Sequence, residues 1–438
     1  MAADRAERVA YLKPLALLAV AFLVSACTRV DTGLSSGRRP WTQPDVLRIA
    51  LPLEPKTLNP LLASSTVDVF VGRLLFEPLI SADARGNPVP ILVKTVPSQQ
   101  NGGISKDGLT VTYHLRPGIR WSDGIALTSE DVKWSWSAIM RPANNVVSRH
   151  GYDVIAFIRT PDPLTVVVRL QNRYAPFVNT FFAESDQPYA IVPAHALRKY
   201  ADINRIGFNQ SPAVSDGPFR LERWAHGDRI SMTANDSFFL GRPHLKRIDL
   251  RIIPDENAGI NLLRTHAIDY MYQPSISNFQ SLSAVPNIRI VLVNMNGFEG
   301  MELNTSRRPL SDPRVLEAVA ASIDKEQLVR TLTFGQERIA TEDIPDWMWA
   351  ADRTMKVRQH NIGYAKKLLR AAGVAPGTKL LLITDTASVT HRRAALEVQS
   401  MLAQAGLDVE LKYYLPDVLY APAAAGGVLH AGKFDLVI

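Results

Sequence analysis

Residues 380–413 alternate between strand-like and helix-like patterns, and this alternation restricts the fold more than any other feature of the sequence. Leu380 to Thr384 (LLLIT) and Leu407 to Tyr413 (LDVELKY) are typical of strands. Between them the pattern predicts a helix from about His391 to Ala405, ended by Gly406. A connection of this length fits a right-handed crossover between parallel strands. The chain is therefore predicted to be a mixed α/β protein with a partly parallel sheet covered by helices.

Two further segments are typical of strands. Val46 to Leu53 (VLRIALPL) is apolar and is followed by turn-forming residues. Leu109 to Leu115 (LTVTYHL) alternates strictly, which predicts a half-buried strand with His114 facing solvent.

The helix predicted after Thr128 begins with a capping box. Thr128 is followed three residues later by Asp131, and the pattern ends before Arg141 and Pro142. The neighbouring Glu130 complements the helix dipole, so we interpret this carboxylate pair as structural. The two tryptophans of the helix are interpreted as core residues rather than a ligand site. The predicted apolar stripe consists of Val132, Trp136, Ile139 and Met140.

Two more helices are predicted in the second half of the chain. Asp312 and Pro313 supply an N-cap and an N1 proline, and Gly373 supplies the C′ glycine of the second helix. The predicted buried residues are Val315, Leu316, Val319, Ala320 and Ile323 in the first helix, and Tyr364, Leu368, Leu369 and Ala372 in the second.

The first 26 residues have the pattern of a signal segment. A basic region with Arg5, Arg8 and Lys13 precedes an uncharged apolar run, Leu15 to Val24, which is too short to span a bilayer. The run leads through Ser25 and Ala26 to Cys27, which resembles the lipobox of bacterial lipoproteins. The resemblance implies that Cys27 is lipidated and that the protein leaves the cytoplasm. A plain secretory signal and an uncleaved anchor are the alternatives.

Residues 27–44 lack a hydrophobic period and are rich in Gly, Ser, Thr, Pro and Arg, which is typical of a flexible tether. This segment contains Gly33 to Gly37 (GLSSG), which matches the G-x-S-x-G nucleophile pattern. No strand precedes the serine, so we interpret the match as chance.

Composition and motif spacing exclude several classes of function. The chain has 49 Lys and Arg against 42 Asp and Glu, a net charge of +7, and the basic residues are scattered rather than forming a nucleic-acid-binding run. Its single cysteine excludes an internal disulfide. No metal-binding or phosphate-binding motif is present, and the pair Glu342 and Asp343 is interpreted as solvated. We therefore predict no catalytic residue, no metal and no cofactor.

The segment from Asp107 to Trp136, DGLTVTYHLRPGIRWSDGIALTSEDVKWSW, resembles a characteristic stretch of the extracellular solute-binding proteins of family 5. These proteins are the dipeptide, oligopeptide and nickel-binding receptors of ATP-binding-cassette (ABC) importers. The segment departs from the family at Ala126, where proline is usual, and at Ser129, where alanine is usual.

Further matches follow in the family's order along the mature chain. One match is weak, because residues 265–269 (THAID) stand where the family has a glycine-containing GEID turn. The others are Thr57 to Pro60 (TLNP), Phe76 to Leu79 (FEPL), Ile191 to Pro193, residues 216–227 (DGPFRLERWAHG), residues 312–324 and residues 364–373.

The resemblance implies a periplasmic-binding-protein type II fold with two lobes and an extra domain. Carried over by position, domain I covers about 45–76 and 191–271, domain II about 77–190, and domain III 272–438. Ligand is expected in the cleft between the lobes, where closure buries it. In the family the chain returns to domain I, and an acidic residue that pairs with the peptide's α-amino group lies beyond FDLVI, residues 434–438. Because the sequence ends within this apolar run, we expect it to be a truncated reading of a longer protein.

The resemblance also implies which residues contact ligand and which partners the protein has. Hydroxyl, amide and aromatic groups suit an extended peptide. The expected partners are a small solute, most favourably a short peptide, the permease of an ABC importer and, through the lipid, a membrane, with the protein as a monomer. Capture of nickel complexes, sugars or opines, an exported hydrolase, and a lipoprotein that only senses ligand or assists folding are the alternatives. The expected ligand-binding residues are Ser64, Ser65, Thr66, Tyr270, Tyr272 and Gln273.

Overall fold

Four sheets and eleven α-helices make up the computed structural model within the residues that it describes, 39, 41–83, 86–183, 189–293, 297–348, 351–386, 388–420 and 426–438. Residues 45–438 belong to one compact unit. The predicted signal segment, Cys27 and the GLSSG match lie outside the described residues, as does most of the predicted tether.

The strands and helices are numbered in chain order. The strands are β1 (Val46–Leu51), β2 (Ile80–Ala82), β3 (Pro88–Pro90), β4 (Thr110–His114), β5 (Ile155–Asp162), β6 (Thr165–Leu170), β7 (Phe219–Ala225), β8 (Arg229–Ala234), β9 (Arg247–Ile252), β10 (Tyr270–Met271), β11 (Glu302–Leu303), β12 (Thr378–Asp385), β13 (Leu407–Tyr414) and β14 (Leu436–Val437). The helices are α1 (Thr66–Leu75), α2 (Ser129–Met140), α3 (Phe177–Thr180), α4 (Ala194–Leu197), α5 (Glu256–Arg264), α6 (Phe279–Ser283), α7 (Pro313–Ser322), α8 (Lys325–Leu332), α9 (Ile362–Ala371), α10 (Val389–Ala405) and α11 (Pro416–Leu419).

A five-stranded sheet joins the first strand of the chain to strands about 200 residues later. Its order is β10-β1-β9-β8-β7, with β1 parallel to both of its neighbours and the other pairs antiparallel. The sheet therefore combines residues 46–51 with residues 219–271. The division into three domains, including the two segments expected for domain I, stays a prediction.

Two smaller sheets lie between these segments in the sequence. Strands β4, β6 and β5 form an antiparallel sheet, and β2 pairs with β3. The alternation predicted for 109–115 is confirmed, since Val111, Tyr113 and Leu115 are buried and His114 is exposed. These residues pack in one hydrophobic core with α1, α2 and much of the five-stranded sheet.

The last sheet contains the predicted βαβ unit. Its order is β11-β14-β12-β13, in which β12 is parallel to both β13 and β14. Helix α10 connects β12 to β13 and begins at Val389, two residues before the predicted start. Strand β14 lies between β11 and β12. This sheet packs with α7, α9 and α10 around a second core, which shares no residue with the first.

The sequence predicted the ends of these helices more accurately than it predicted which of their residues are buried. Asp312 caps α7, and Gly373 and Gly406 adopt positive φ after α9 and α10, as predicted. The predicted stripes of α7 and α9 were partly wrong. In α7, Ala318, Ala321 and Ser322 are buried, whereas Leu316 and Ala320 are only half-buried, because the helix packs against both α9 and α10. In α9, Tyr364, predicted to be buried, is exposed, and the neighbouring Ala365 is buried instead.

Helix α2 has the predicted capping box and ends at Met140, as predicted. Its buried face is more polar than expected. Ser135 and Asp131 are buried with Val132 and Ile139, while Trp134 and Trp136 are half-buried and pack against the first core. The core interpretation of the tryptophans is therefore confirmed. None of the helices in the described ranges has the length and apolar character required to cross a bilayer.

Candidate functional site

The loop between β1 and α1 is held by one buried carboxylate, Asp68. Its Oδ1 accepts a hydrogen bond from the backbone of Lys56 at 2.7 Å, and Oδ2 accepts from the backbones of Ser64 and Ser65, each at 3.0 Å. Ser65 in turn caps α1, with its Oγ accepting from the Asp68 N–H. An early residue of the loop and its last two residues are therefore held by the first turn of one helix.

A buried amide pair fixes the middle of the same loop. Asn59 Nδ2 donates to Asn209 Oδ1 at 3.0 Å, and the Leu58 N–H donates to the Asn209 carbonyl at 2.7 Å. Asn59 Oδ1 accepts from the Leu61 N–H, and its own N–H donates to Thr57 Oγ1. The TLNP motif therefore has a structural role, since its polar groups satisfy each other inside the protein.

The second candidate segment, residues 270–273, is positioned by an ion pair. Arg48 on β1 donates to both carboxylate oxygens of Asp269, at 2.9 and 2.7 Å, and its backbone N–H donates to the same group. Asp269 occupies the last position of the THAID turn, and His266 in the same turn adopts φ 55°, a left-handed conformation. This turn places Tyr270 and Met271 beside β1, where they form β10.

The two candidate segments meet at Tyr272. Its ring stacks on Phe70 of α1, with ring centroids 4.3 Å apart, and its hydroxyl donates to the Thr66 carbonyl at 3.4 Å. Burial raises the pKa of Tyr272, against the smaller effect of the hydrogen bond to Thr66. Residues 64–66 and 270–273, which lie about 200 positions apart in the sequence, therefore form one surface beside the β10 edge of the five-stranded sheet.

Some of the six predicted ligand-binding residues have side chains exposed to solvent, while others are engaged in contacts within the protein. Ser65 is engaged as a helix cap, and Tyr272 is engaged by its stacking and its hydrogen bond. Thr66, Tyr270 and Gln273 are exposed. Ser64 is exposed as well, although its backbone N–H and its hydroxyl both donate to Asp68 Oδ2. Gln273 adopts φ 46°, a left-handed conformation that is uncommon for a residue other than glycine.

Sequence reasoning missed two residues that position other groups, Phe70 of α1 and Glu54 of the loop after β1. Phe70 is the ring on which Tyr272 stacks, and its position in an apolar helix gave no distinguishing signal. Glu54, in the loop after β1, accepts hydrogen bonds from Trp224 Nε1 at 2.8 Å, His226 Nδ1 at 2.9 Å and the Gly227 N–H at 3.2 Å. Burial raises the pKa of Glu54, but these hydrogen bonds outweigh burial and leave it below its ordinary value.

A tight backbone contact joins Leu75, at the end of α1, to Gly217, just before β7. The Gly217 N–H donates to the Leu75 carbonyl at 2.8 Å, and a Cβ on residue 217 would lie 2.5 Å from the Leu75 carbonyl carbon. The neighbouring Asp216 is buried and accepts from the Glu77 N–H at 3.2 Å. Burial, and then the charge of Glu77, raise the pKa of Asp216 well above its ordinary value. The DGPF motif therefore serves close backbone packing.

One Ser, His and Asp combination lies at the C-terminal end of β12. His391 Nδ1 is 2.7 Å from Asp385 Oδ2, and Ser388 Oγ accepts a hydrogen bond from the His391 backbone N–H. The serine thus caps α10, and its hydroxyl is engaged with the backbone rather than the imidazole. Within the described ranges, no group of three or more His, Cys, Asp or Glu residues is arranged to hold a metal ion.

Comparison with known proteins gives one consistent family. The sequence model described as "Bacterial extracellular solute-binding proteins, family 5 Middle" matches residues 57–438. The chain is similar to the oligopeptide-binding protein AppA of Bacillus subtilis, with 23% identity over 413 residues, 90% of this chain and 74% of AppA.

Solved structures agree in fold. The ABC transporter substrate-binding protein CtaP of Listeria monocytogenes superposes with a TM-score of 0.79 at 21% identity, covering 90% of this chain and 78% of CtaP. NikZ of Campylobacter jejuni, solved in complex with Ni(L-His), gives 0.75 at 22% identity, covering 90% of this chain and 77% of NikZ. The mixed α/β architecture is therefore that of type II periplasmic binding proteins.

Proposed function

The chain belongs to family 5 of the bacterial extracellular solute-binding proteins, and on that premise we propose that it captures short peptides in a cleft between lobes and delivers them to the permease of an ABC importer. Closure over the ligand stabilises the closed state by the difference in affinity between the closed and open forms. The same premise favours binding over catalysis. We further propose that the protein is a monomer outside the cytoplasm, tethered to the membrane by lipid on Cys27.

The observation that carries the peptide proposal is the surface where residues 64–66 meet residues 270–273. Thr66 and Gln273 offer hydrogen-bonding groups to a peptide backbone, and Tyr270 offers an exposed ring beside them. Tyr272 is committed to Phe70 and Thr66 and therefore acts as a wall. Apolar walls with a few polar groups suit ligands whose backbone is constant and whose side chains vary.

The proposal is tested by calorimetric titration with pools of tripeptides to pentapeptides, after native mass spectrometry of the purified protein for retained ligand. Tyr270→Ala should weaken peptide binding about tenfold or more, because the exposed ring loses its contact area. Tyr272→Phe keeps the ring stacked and should have a smaller effect. The matched control is Tyr413→Ala, which removes an exposed tyrosine of β13.

Other ligands give distinct results in the same experiment. Retention of a nickel complex, a sugar or an opine, with no binding of any peptide pool, would contradict the peptide assignment while leaving the binding function intact. Chemical turnover of a titrated compound would contradict both the peptide assignment and the binding function. The lipid tether is tested separately, since Cys27→Ala should abolish incorporation of labelled fatty acid.

A further inference from the structure

The segment after Asp352 has an unusual charge pattern. Between Asp352 and Asp385 the chain contains seven Lys and Arg residues and no Asp or Glu. In the whole sequence, acidic residues are almost as frequent as basic ones, so a stretch of this length with no carboxylate departs from the rest of the chain. The pattern concentrates positive charge in the segment that leads into α9 and in that helix.

This charge is on the surface of the protein. Residues 352–360 are all exposed, and on α9 the exposed side chains include Lys366, Lys367 and Arg370, while Ala365 and Leu369 face the core. Arg358 pairs with Glu317. Among the described residues, the ion pairs do not include Lys356, nor any of the three basic residues of α9.

The segment before α9 and the helix itself are both held against α7. The Asn361 N–H donates to the Ala321 carbonyl at 2.8 Å, and Arg358 contacts Glu317, so both ends of residues 358–361 are held against α7. Asn361 caps α9, and Arg314 of α7 donates to the Ala371 carbonyl at the other end of the helix. Three extended steps and five helical steps separate Arg358 from Lys366, so their Cα atoms lie at most about 18 Å apart.

Apolar side chains are exposed between the basic ones. Met355 is 48% exposed and Val357 is 38% exposed, and they alternate with Lys356 and Arg358. A solvated patch of lysines and arginines gains nothing from exposed apolar side chains among them. Because exposing apolar side chains to water is unfavourable, their presence here favours contact with a surface that can bury them. Basic residues interleaved with apolar ones are typical of surfaces that rest on a bilayer, where cations meet the headgroups and apolar groups reach below them.

We propose that this basic-apolar surface, formed by Met355, Lys356, Val357, Lys366, Lys367 and Arg370, binds the anionic headgroups of a phospholipid bilayer. The cations match the negative surface potential of such a bilayer, and the apolar pair favours a lipid surface over an acidic soluble protein. The contact acts in addition to any covalent lipid and does not depend on what the protein transports.

The test uses the chain from Thr28 onward, which lacks the lipidation site and keeps the whole compact unit 45–438. Sedimentation with vesicles should show binding to phosphatidylcholine that contains 30% phosphatidylglycerol, and none to phosphatidylcholine alone. Raising NaCl to about 0.5 M should abolish the binding, because the screening length falls below the distance between separated charges. Binding that is equal on both vesicles would overturn the proposal.

Two sets of substitutions locate the surface. Lys366→Gln, Lys367→Gln and Arg370→Gln together should weaken binding about 100-fold, since each cation near an anionic surface contributes roughly fivefold. The control set, Lys94→Gln, Lys106→Gln and Lys199→Gln, removes the same charge from exposed lysines elsewhere and should change binding less than threefold. Equal losses in the two sets would mean that net charge alone is responsible, which contradicts a defined surface.

A third variant distinguishes a bilayer from an acidic protein partner. Met355→Ser with Val357→Ser leaves the charge unchanged and should weaken vesicle binding about tenfold, because less apolar area is removed from water. No change in vesicle binding would show that the apolar side chains do not enter the lipid and would overturn the bilayer assignment. All variants replace exposed side chains, and matching thermal midpoints by circular dichroism establish that they are folded.

Discussion

At the scale of single residues, a few carboxylates hold loops in place by accepting several hydrogen bonds each. Asp68 gathers three backbone N–H groups of the loop before α1, and Asp131 accepts from the backbones of Thr128 and Ala194. Glu54 likewise accepts a hydrogen bond from the Gly227 backbone N–H, and it also accepts from the ring N–H groups of Trp224 and His226. One charged side chain thereby fixes segments that are far apart in the sequence, because an ionised carboxylate accepts several hydrogen bonds at once.

The Glu54 cluster predicts a specific pH dependence of stability. Because its folded pKa lies below the unfolded value of about 4.3, the carboxylate stabilises the protein above that pH, and the contribution is lost as pH falls through the folded pKa. Glu54→Gln should therefore lower the free energy of unfolding by about 1 kcal/mol at pH 7, since partial solvent exposure screens the hydrogen bonds.

Urea unfolding between pH 3 and pH 7 measures this difference. The stability of the Glu54→Gln variant should converge with that of the original protein toward pH 3. Glu410→Gln, which alters an exposed carboxylate of β13, serves as the control. A difference that stayed constant across the whole pH range would assign it to packing of the amide rather than to ionisation.

At the scale of elements, the end of α1 and the residues before β7 pack closely enough to exclude a side chain at Gly217. Gly217 faces the last turn of α1, where the carbonyl of Leu75 leaves no space for a side chain. The N–H of the same glycine completes that turn by donating to Leu75. The glycine is required here by lack of space, since its φ is not among the positive values.

Gly217→Ala is accordingly expected to destabilise the protein by about 3 kcal/mol or more, because backbone atoms of Leu75 and Gly217 must separate. A matched control lies three residues before Leu75. Gly72→Ala adds a methyl group within α1, where no atom other than the helix's own nearby backbone lies within 4 Å, and should stabilise the helix by up to about 1 kcal/mol. Thermal or urea unfolding of both variants checks the pair, and similar effects of the two alanines would contradict the close-packing argument.

The same elements show what a sequence can and cannot predict. The caps at Thr128 and Asp312 and the glycines at 373 and 406 were predicted correctly, because capping depends on neighbours within a few residues. The stripe of α7 was partly wrong because two helices, rather than one, define its buried face. The stacking of Tyr272 on Phe70 depends on a tertiary contact across 200 residues, and the family resemblance brought Tyr272, but not Phe70, to attention.

At the scale of the whole molecule, the residues that the structure describes form two main hydrophobic cores. One surrounds β1, α1 and the strands up to β9, and the other surrounds β12, α7, α9 and α10. The cores have no buried residue in common, and each is assembled around its own sheets. A cavity made in one core should therefore loosen that core more than the other.

Leu382→Ala tests this independence. Leu382 is fully buried in the second core, and its truncation should cost about 2–5 kcal/mol. Hydrogen exchange should increase in β12, β13 and α10 and remain nearly unchanged in β1 and β9. Leu396→Ala, at an exposed position of α10, is the control and should alter exchange little. Exchange that rises equally in both sheets would show that the two cores unfold as one unit.

Because β1 pairs with β9 and β10, which come much later in the chain, this sheet cannot form until long after β1 has been synthesised. Arg48 and Asp269, which join β1 to the turn before β10, are separated by 221 residues. At about 5–20 residues per second of synthesis, the first strand emerges roughly 10–40 seconds before its partners exist. During that interval β1 cannot yet pair within its own sheet, so a process that moves the unfolded chain has those seconds in which to act before the sheet can close.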